Sequence, residues 1–180
     1  MLALPAHYAN VGGRDRGVPM GRTHATTLLA AAVIAGPAQA QLLTHRDLSY
    51  PLALTIAQAA IESCGAKGYP VSAVVVDRAG ETMVALRADG AGPHTMENAR
   101  RKAYTALSFR TATSAYAKRY AENNPVVHQQ VTLPNVIAIP GGLPVKVGED
   151  VIAGIGVSGS PGVDEPCVQA GIDKVADQLK

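Results

Sequence analysis

The chain has no tryptophan and one phenylalanine, and aromatics make up 4% of its 180 residues. A core without large rings has to be built from Val, Ile, Leu and Ala, packed in small pieces. No apolar run reaches the roughly 20 residues that a membrane-spanning helix needs. No membrane anchor is therefore expected. Only two cysteines occur, Cys64 and Cys167, with no Cys-x-x-Cys and no histidine pair at i, i+4. That excludes a dedicated structural zinc site. An excess of one charge is also missing. The formal net charge is +2, and Arg14, Arg16 and Arg22 against Asp15 account for all of it. From Gln41 onward the chain holds thirteen residues of each sign. Nothing here makes a basic surface for nucleic acid.

What is present begins with a leader. Met20-Gly21-Arg22-Thr23-His24 is followed by an apolar run from Ala25 to Ile34, then by Gly36-Pro37-Ala38-Gln39-Ala40. A basic start, a short apolar core and a small-x-small tripeptide are the parts of a secretory signal peptide. Cleavage is expected after Ala40. Residues 1–40 are then an N-terminal extension plus signal peptide, and residues 41–180 are one domain. Residues 1–19 fit no part of the pattern, so translation is expected to start at Met20. The product would be periplasmic or secreted. In an oxidising compartment an even pair of cysteines reads as a disulfide. The alternative is two buried thiols acting as small apolar residues.

The spacing of Leu54, Ala57, Ile61 and Cys64 predicts a first helix, ended by Gly65 and Gly68. Val71–Val76 is apolar at both parities, a strand covered on both faces. Asp77–Gly80 turns it into a second strand, Glu81–Arg87. Helices follow over His94–Phe109 and Thr113–Glu122. Residues 126–134 read as loop with one turn of helix. Asn135–Ile139, Leu143–Val147 and Asp150–Ser158 read as three more strands. Pro144 confines its strand to an edge, or else sits where no ladder hydrogen bond is needed. Val168, Ile172, Val175 and Leu179 mark a closing helix from Val163. The expected order is α-β-β-α-α-β-β-β-α, an α+β fold around a five-stranded antiparallel sheet.

The helix from His94 carries the most chemistry. At 100° per residue, Met96, Ala99, Ala103, Ala106 and Leu107 share one arc, the core face. His94, Asn98, Arg101, Thr105 and Ser108 lie opposite, flanked by Glu97 and Tyr104. Such a set donates hydrogen bonds and binds anions. It reads as a ligand site for a carboxylated molecule, or else as a solvated or subunit-facing surface. His94 is the best single metal ligand, because neutral imidazole binds iron or zinc. His45 and His128 are isolated in polar loop. Gly141-Gly142 forms a corner where a ligand or another backbone can approach closely. Gly154-Ile155-Gly156-Val157-Ser158-Gly159 lies within a strand, with no helix directly after it. It is not a dinucleotide loop. Asp164-Glu165 sits at a helix start, where acids are favoured electrostatically.

Three ordered motifs carry a resemblance. Asn98-Ala99-Arg100-Arg101-Lys102-Ala103-Tyr104-Thr105-Ala106, then Ile139-Pro140-Gly141-Gly142-Leu143-Pro144-Val145, then Gly154-Ile155-Gly156-Val157-Ser158-Gly159 with Asp164-Glu165, resemble the GlcG/HbpS family of haem-binding and haem-degrading proteins. That family includes the C-terminal domain of PduO-type proteins. The resemblance runs from about Leu52 to Leu179. It implies an α/β/α layered fold and a homo-oligomer, often an octamer, with haem bound at subunit surfaces in some members. In the resembled fold the terminal helices pack on one side of the sheet. Cys64 and Cys167 could then meet, with Gly171 letting the helices close in.

Two functions compete on this basis. In the first, the chain is an exported haem-binding protein that scavenges, senses or degrades haem. His94 or Tyr104 contacts iron, and Arg101 and Lys102 pair with propionates. In the second, it is an enzyme or sensor for a small carboxylated metabolite, held by the same helix and the Gly141-Gly142 corner. A purely structural oligomer is a weaker third. The scarcity of aromatics weighs against haem, whose pockets gain from flat apolar side chains.

Overall fold

The computed structural model describes residues 43–180. The signal peptide, the start at Met20 and the cleavage after Ala40 lie outside the described residues. The element order is α1 (Tyr50–Gly65), β1 (Ser72–Val76), β2 (Thr82–Arg87), α2 (His94–Phe109), α3 (Thr113–Ala121), α4 (Pro125–Gln130), β3 (Gly142–Val147), β4 (Asp150–Ser158) and α5 (Asp164–Asp173). α5 stops at Asp173, short of the helix expected to reach Leu179, and a 3₁₀ turn, Ala176–Gln178, follows it. The sheet has four strands in the order β2-β1-β4-β3, all pairs antiparallel.

Two expectations are corrected here. The sheet has four strands rather than five, and the order of elements changes accordingly. Asn135–Ile139 does not pair with any strand; side chains of α2 bind the segment instead. Arg100 Nη2 donates to Asn135 Oδ1 at 2.8 Å, Arg101 Nη2 donates to the Val136 carbonyl, and Ile137 N–H donates to Thr105 Oγ1 at 2.9 Å. A segment held in this way has no need of a ladder partner. Just before it, Pro125–Gln130 forms a short helix, capped by the Asn124 side chain accepting from Val126 N–H and Val127 N–H.

Other expectations agree with the structure. β1 is buried along its whole length, and β3 with Pro144 is an edge strand. The β1–β2 turn closes on Asp77, whose Oδ1 accepts from Ala79 N–H and Glu81 N–H, both at 2.9 Å. In α1 the buried stripe is Ala53, Ile56, Ala57, Ala60 and Cys64, while Leu54 and Ile61 pack at its margin. Pro51 in the first turn of α1 costs no hydrogen bond, since that N–H would be unpaired anyway.

The sheet separates two layers. Ala73, Val75, Ile155 and Val157 face α1 and α5. Val74 and Val76 face α2. A disulfide joins Cys64 of α1 to Cys167 of α5, with Cα atoms 5.6 Å apart. At Gly171 a Cβ would lie 2.5 Å from the Ile56 carbonyl oxygen, so only glycine lets α5 cross α1 this closely. On the other layer, Cβ atoms at Gly154 and Gly156 would run into the carbonyl oxygens of Ala103 and Ala99. The two glycines let α2 lie directly on the backbone of β4. This is why a glycine-rich run sits inside a strand.

Candidate functional site

The glycine contact fixes where the polar residues of α2 can go. Lowering α2 onto β4 buries Ala99, Ala103 and Ala106, and it buries Lys102 and Thr105 as well. Thr105 was expected on the exposed stripe. It lies beneath the 135–139 segment, and its hydroxyl serves Ile137 N–H. The polar face of α2 therefore divides into two parts with different neighbours.

The first part faces a cleft of about 450 Å³. Such a volume suits a small-molecule site. His94, Asn98 and Lys102 stand on successive turns of α2 and all border it. They descend in depth: His94 is exposed, Asn98 half-buried and Lys102 buried. Ile139, Pro140, Ser158, Gly159, Pro161 and Gly162 also line it. The His94 ring rests against Gly92, where a Cβ would come within 3.0 Å of Cε1 and 3.2 Å of Nδ1. Among the described residues, the imidazole has no hydrogen-bond partner.

The floor of the cleft is an ion pair. Lys102 Nζ donates to Asp164 Oδ2 at 2.8 Å and to the Val157 carbonyl at 2.9 Å. Asp164 Oδ1 accepts from Ser160 N–H at 2.9 Å and from Ser160 Oγ–H at 2.8 Å. Removing either partner would leave the other charge buried and uncompensated, which is strongly destabilising.

The second part of the face clamps the 135–137 segment. Arg100 Nε and Nη2 also donate to Glu97, at 2.9 and 2.8 Å. That hydrogen bond holds the Glu97 carboxyl below its ordinary value, and Glu97 in turn holds the Arg100 guanidinium above its own. The buried Nε of Arg101 has no hydrogen-bond partner. Tyr104 packs beside Tyr116, Val127 and Val136. Tyr116 is buried there, which pushes its phenol up, and its hydroxyl donates to Gln130 Oε1 at 3.2 Å.

Of the six residues picked from the sequence, the cleft therefore gathers two, His94 and Lys102. Arg101 and Tyr104 belong to the clamp. Gly141 and Gly142 are packing glycines. A Cβ at Gly141 would lie 2.8 Å from Lys102 Nζ, and one at Gly142 2.5 Å from the Lys102 carbonyl oxygen. Lys102 itself is occupied by Asp164 rather than free for a propionate. Asp164 and Ser160 went unnoticed as site residues. A signal for the burial of Lys102 was present, since it lies only 40° beyond Ala106 on the helical wheel. His128 stacks on Tyr120 and bonds the Tyr120 carbonyl at 3.0 Å. His45 lies in the irregular segment before α1.

Comparison with known proteins places this geometry. A family described as "Haem degrading protein HbpS-like" matches residues 48–173. The crystal structure of HbpS is 41% identical, covers 74% of this chain and 93% of that chain, and superposes with a TM-score of 0.69. A double mutant of HbpS from Streptomyces reticuli is 39% identical, with 77% and 96% covered and a TM-score of 0.69. PduOC, solved as a haem complex, is 27% identical, with 72% and 95% covered and a TM-score of 0.64. No curated protein matches the chain.

Proposed function

The chain belongs to the HbpS-like family, and from that premise we propose that it is an exported haem-binding protein with His94 as the iron ligand. The observation that carries this is the imidazole itself. It is exposed at the mouth of the cleft and engaged by no other described residue. It also stands on a regular helix, which fixes its position better than a loop would. His128 is already bonded and stacked, and His45 has no helix beneath it. A neutral imidazole nitrogen with a free lone pair is what haem iron takes as an axial ligand.

The protein's own parts have separate tasks. His94 offers the nitrogen. Gly92 leaves room for the ring. Ile139 and Pro140 supply apolar surface to the same cleft. Bound haem would contribute the redox and ligand-binding chemistry of its iron. The competing reading, a site for a small carboxylate, has weaker support. Its expected cation, Lys102, is already neutralised by Asp164.

Titrating haemin into the purified protein while following the Soret band tests the site. His94→Ala should weaken binding by about tenfold or more. His128→Ala and His45→Ala should match the parent. Haemin binding unaffected by His94→Ala would remove His94 as ligand.

Export and assembly complete the proposal. The Cys64–Cys167 bridge supports an oxidising compartment, where disulfides persist. Protein recovered from its native host should begin at Gln41 by intact mass. Retention of residues 1–40 in soluble cytoplasmic protein would contradict export. The family further supports a homo-oligomer, and a monomeric mass by light scattering at micromolar concentration would oppose it.

A further inference from the structure

We propose that the deep end of the cleft is a second binding subsite, separate from the haem position. Its ligand is the uncharged carbonyl or carboxamide oxygen of a small, largely apolar molecule.

The Lys102 ammonium has three N–H groups to place. Two go to Val157 O and Asp164 Oδ2. The third has no acceptor among the described residues, and Lys102 borders the cleft. The side chains of Lys102 and Asp164 are 2% and 7% exposed. That leaves an approach for one atom, not for a solvent shell. A donor left unmatched in a nearly dry place favours whatever acceptor can reach it.

The charge on that acceptor is set by Asp164. The ion pair is neutral as a unit. A carboxylate arriving at Lys102 would stand beside the Asp164 carboxylate and give the floor a net negative charge. In a site this dry, that repulsion is poorly screened. A carbonyl oxygen accepts the same N–H without adding charge. One turn above, Asn98 presents an amide able to donate and to accept. Pro70, Ile139, Pro140 and Pro161 also line the cleft and suit an apolar body. His94 lies eight residues up the helix, about 12 Å along its axis. The mouth and the floor are therefore distinct positions.

Benzamide and benzoate share a shape and differ in charge at the group that would meet Lys102. Each is titrated into the full-length protein and followed by backbone amide NMR. Benzamide should shift Asn98, Lys102 and Gly159, and should bind about tenfold tighter than benzoate. The double variant Lys102→Met/Asp164→Asn removes both charges together, and it should lose benzamide binding. Equal or tighter binding of benzoate would overturn the proposal. So would the absence of benzamide binding at millimolar concentration, shifts confined to another surface, or full benzamide affinity in a folded double variant. If the double variant does not fold, the benzamide–benzoate comparison on the parent protein still decides. Haemin binding is scored separately by its Soret band. Protein that binds haemin but not benzamide keeps the haem reading and loses this one, and the converse holds.

Discussion

On one face of the sheet, α1 and α5 enclose nineteen buried apolar residues, the bridged Cys64 and Cys167 among them. On the other, α2 shares a buried apolar cluster of six. The second face makes up the difference by proximity. Gly154 and Gly156 bring helix and strand backbones into contact, and the polar side chains of α2 then find partners. Where apolar burial does most of the holding, few polar groups remain to do chemistry. Where backbone contact and hydrogen bonds do it, polar groups are already in place. The cleft lies on that second face.

The largest expected effect comes from breaking the contact on the α2 face. Gly156→Val places a side chain against the Ala99 carbonyl, and no rotamer relieves a clash with backbone. We expect a loss of more than about 3 kcal/mol in urea unfolding, with Gly156→Ala intermediate. A valine tolerated without cost would mean that the close approach is not what holds α2.

On the opposite face, replacing both cysteines by alanine opens a bridge that spans 103 residues. The loss should be about 2–5 kcal/mol. The same variant sharpens the comparison, because its haemin affinity should stay within about twofold of the parent. A large fall in affinity would show that the two faces are coupled.

Within the α2 face, the clamp is the weaker part. Thr105→Val removes the acceptor for Ile137 N–H and should cost about 1–2 kcal/mol. Hydrogen exchange should quicken at Ile137 while the β1–β4 amides keep their protection.

The smallest effect is the pH dependence of the Glu97–Arg100 pair. Arg100 holds the Glu97 carboxyl below its ordinary 4.5. A depressed folded value contributes stability above the unfolded value, and that stability is lost as pH falls through the folded one. Glu97 is largely exposed, so the contribution should be under about 0.5 kcal/mol. The gap between the parent protein and Arg100→Gln should be flat from about pH 8 to pH 5 and should narrow by that amount below about pH 4, leaving the part due to the Arg100–Asn135 bond. A gap that widens in acid would contradict the pairing.

The sheet's central strands, its hairpins and the main helices were legible from apolar periodicity and turn residues. Pro144 correctly marked an edge. The segment 135–139 was not legible, because its extended, apolar pattern is the same whether strands or side chains bind it. Only the partner distinguishes the two cases, and the partner is 30 or so residues away in sequence, a long-range fact that no local propensity holds. The site followed the same rule. His94 was legible as an imidazole on a polar helix face. The occupation of Lys102 by Asp164 was not, since the two lie 62 residues apart. The β4 glycines were legible as part of a strand and not as a dinucleotide loop, but their role in seating α2 was not legible.

The structure of the protein soaked with haemin tests the central claim most directly. It should place the porphyrin over the cleft mouth, with the His94 imidazole on the iron and the Lys102–Asp164 pair intact beneath. Iron bound by His45 or His128, or a porphyrin lying against Tyr104 on the clamp, would contradict it.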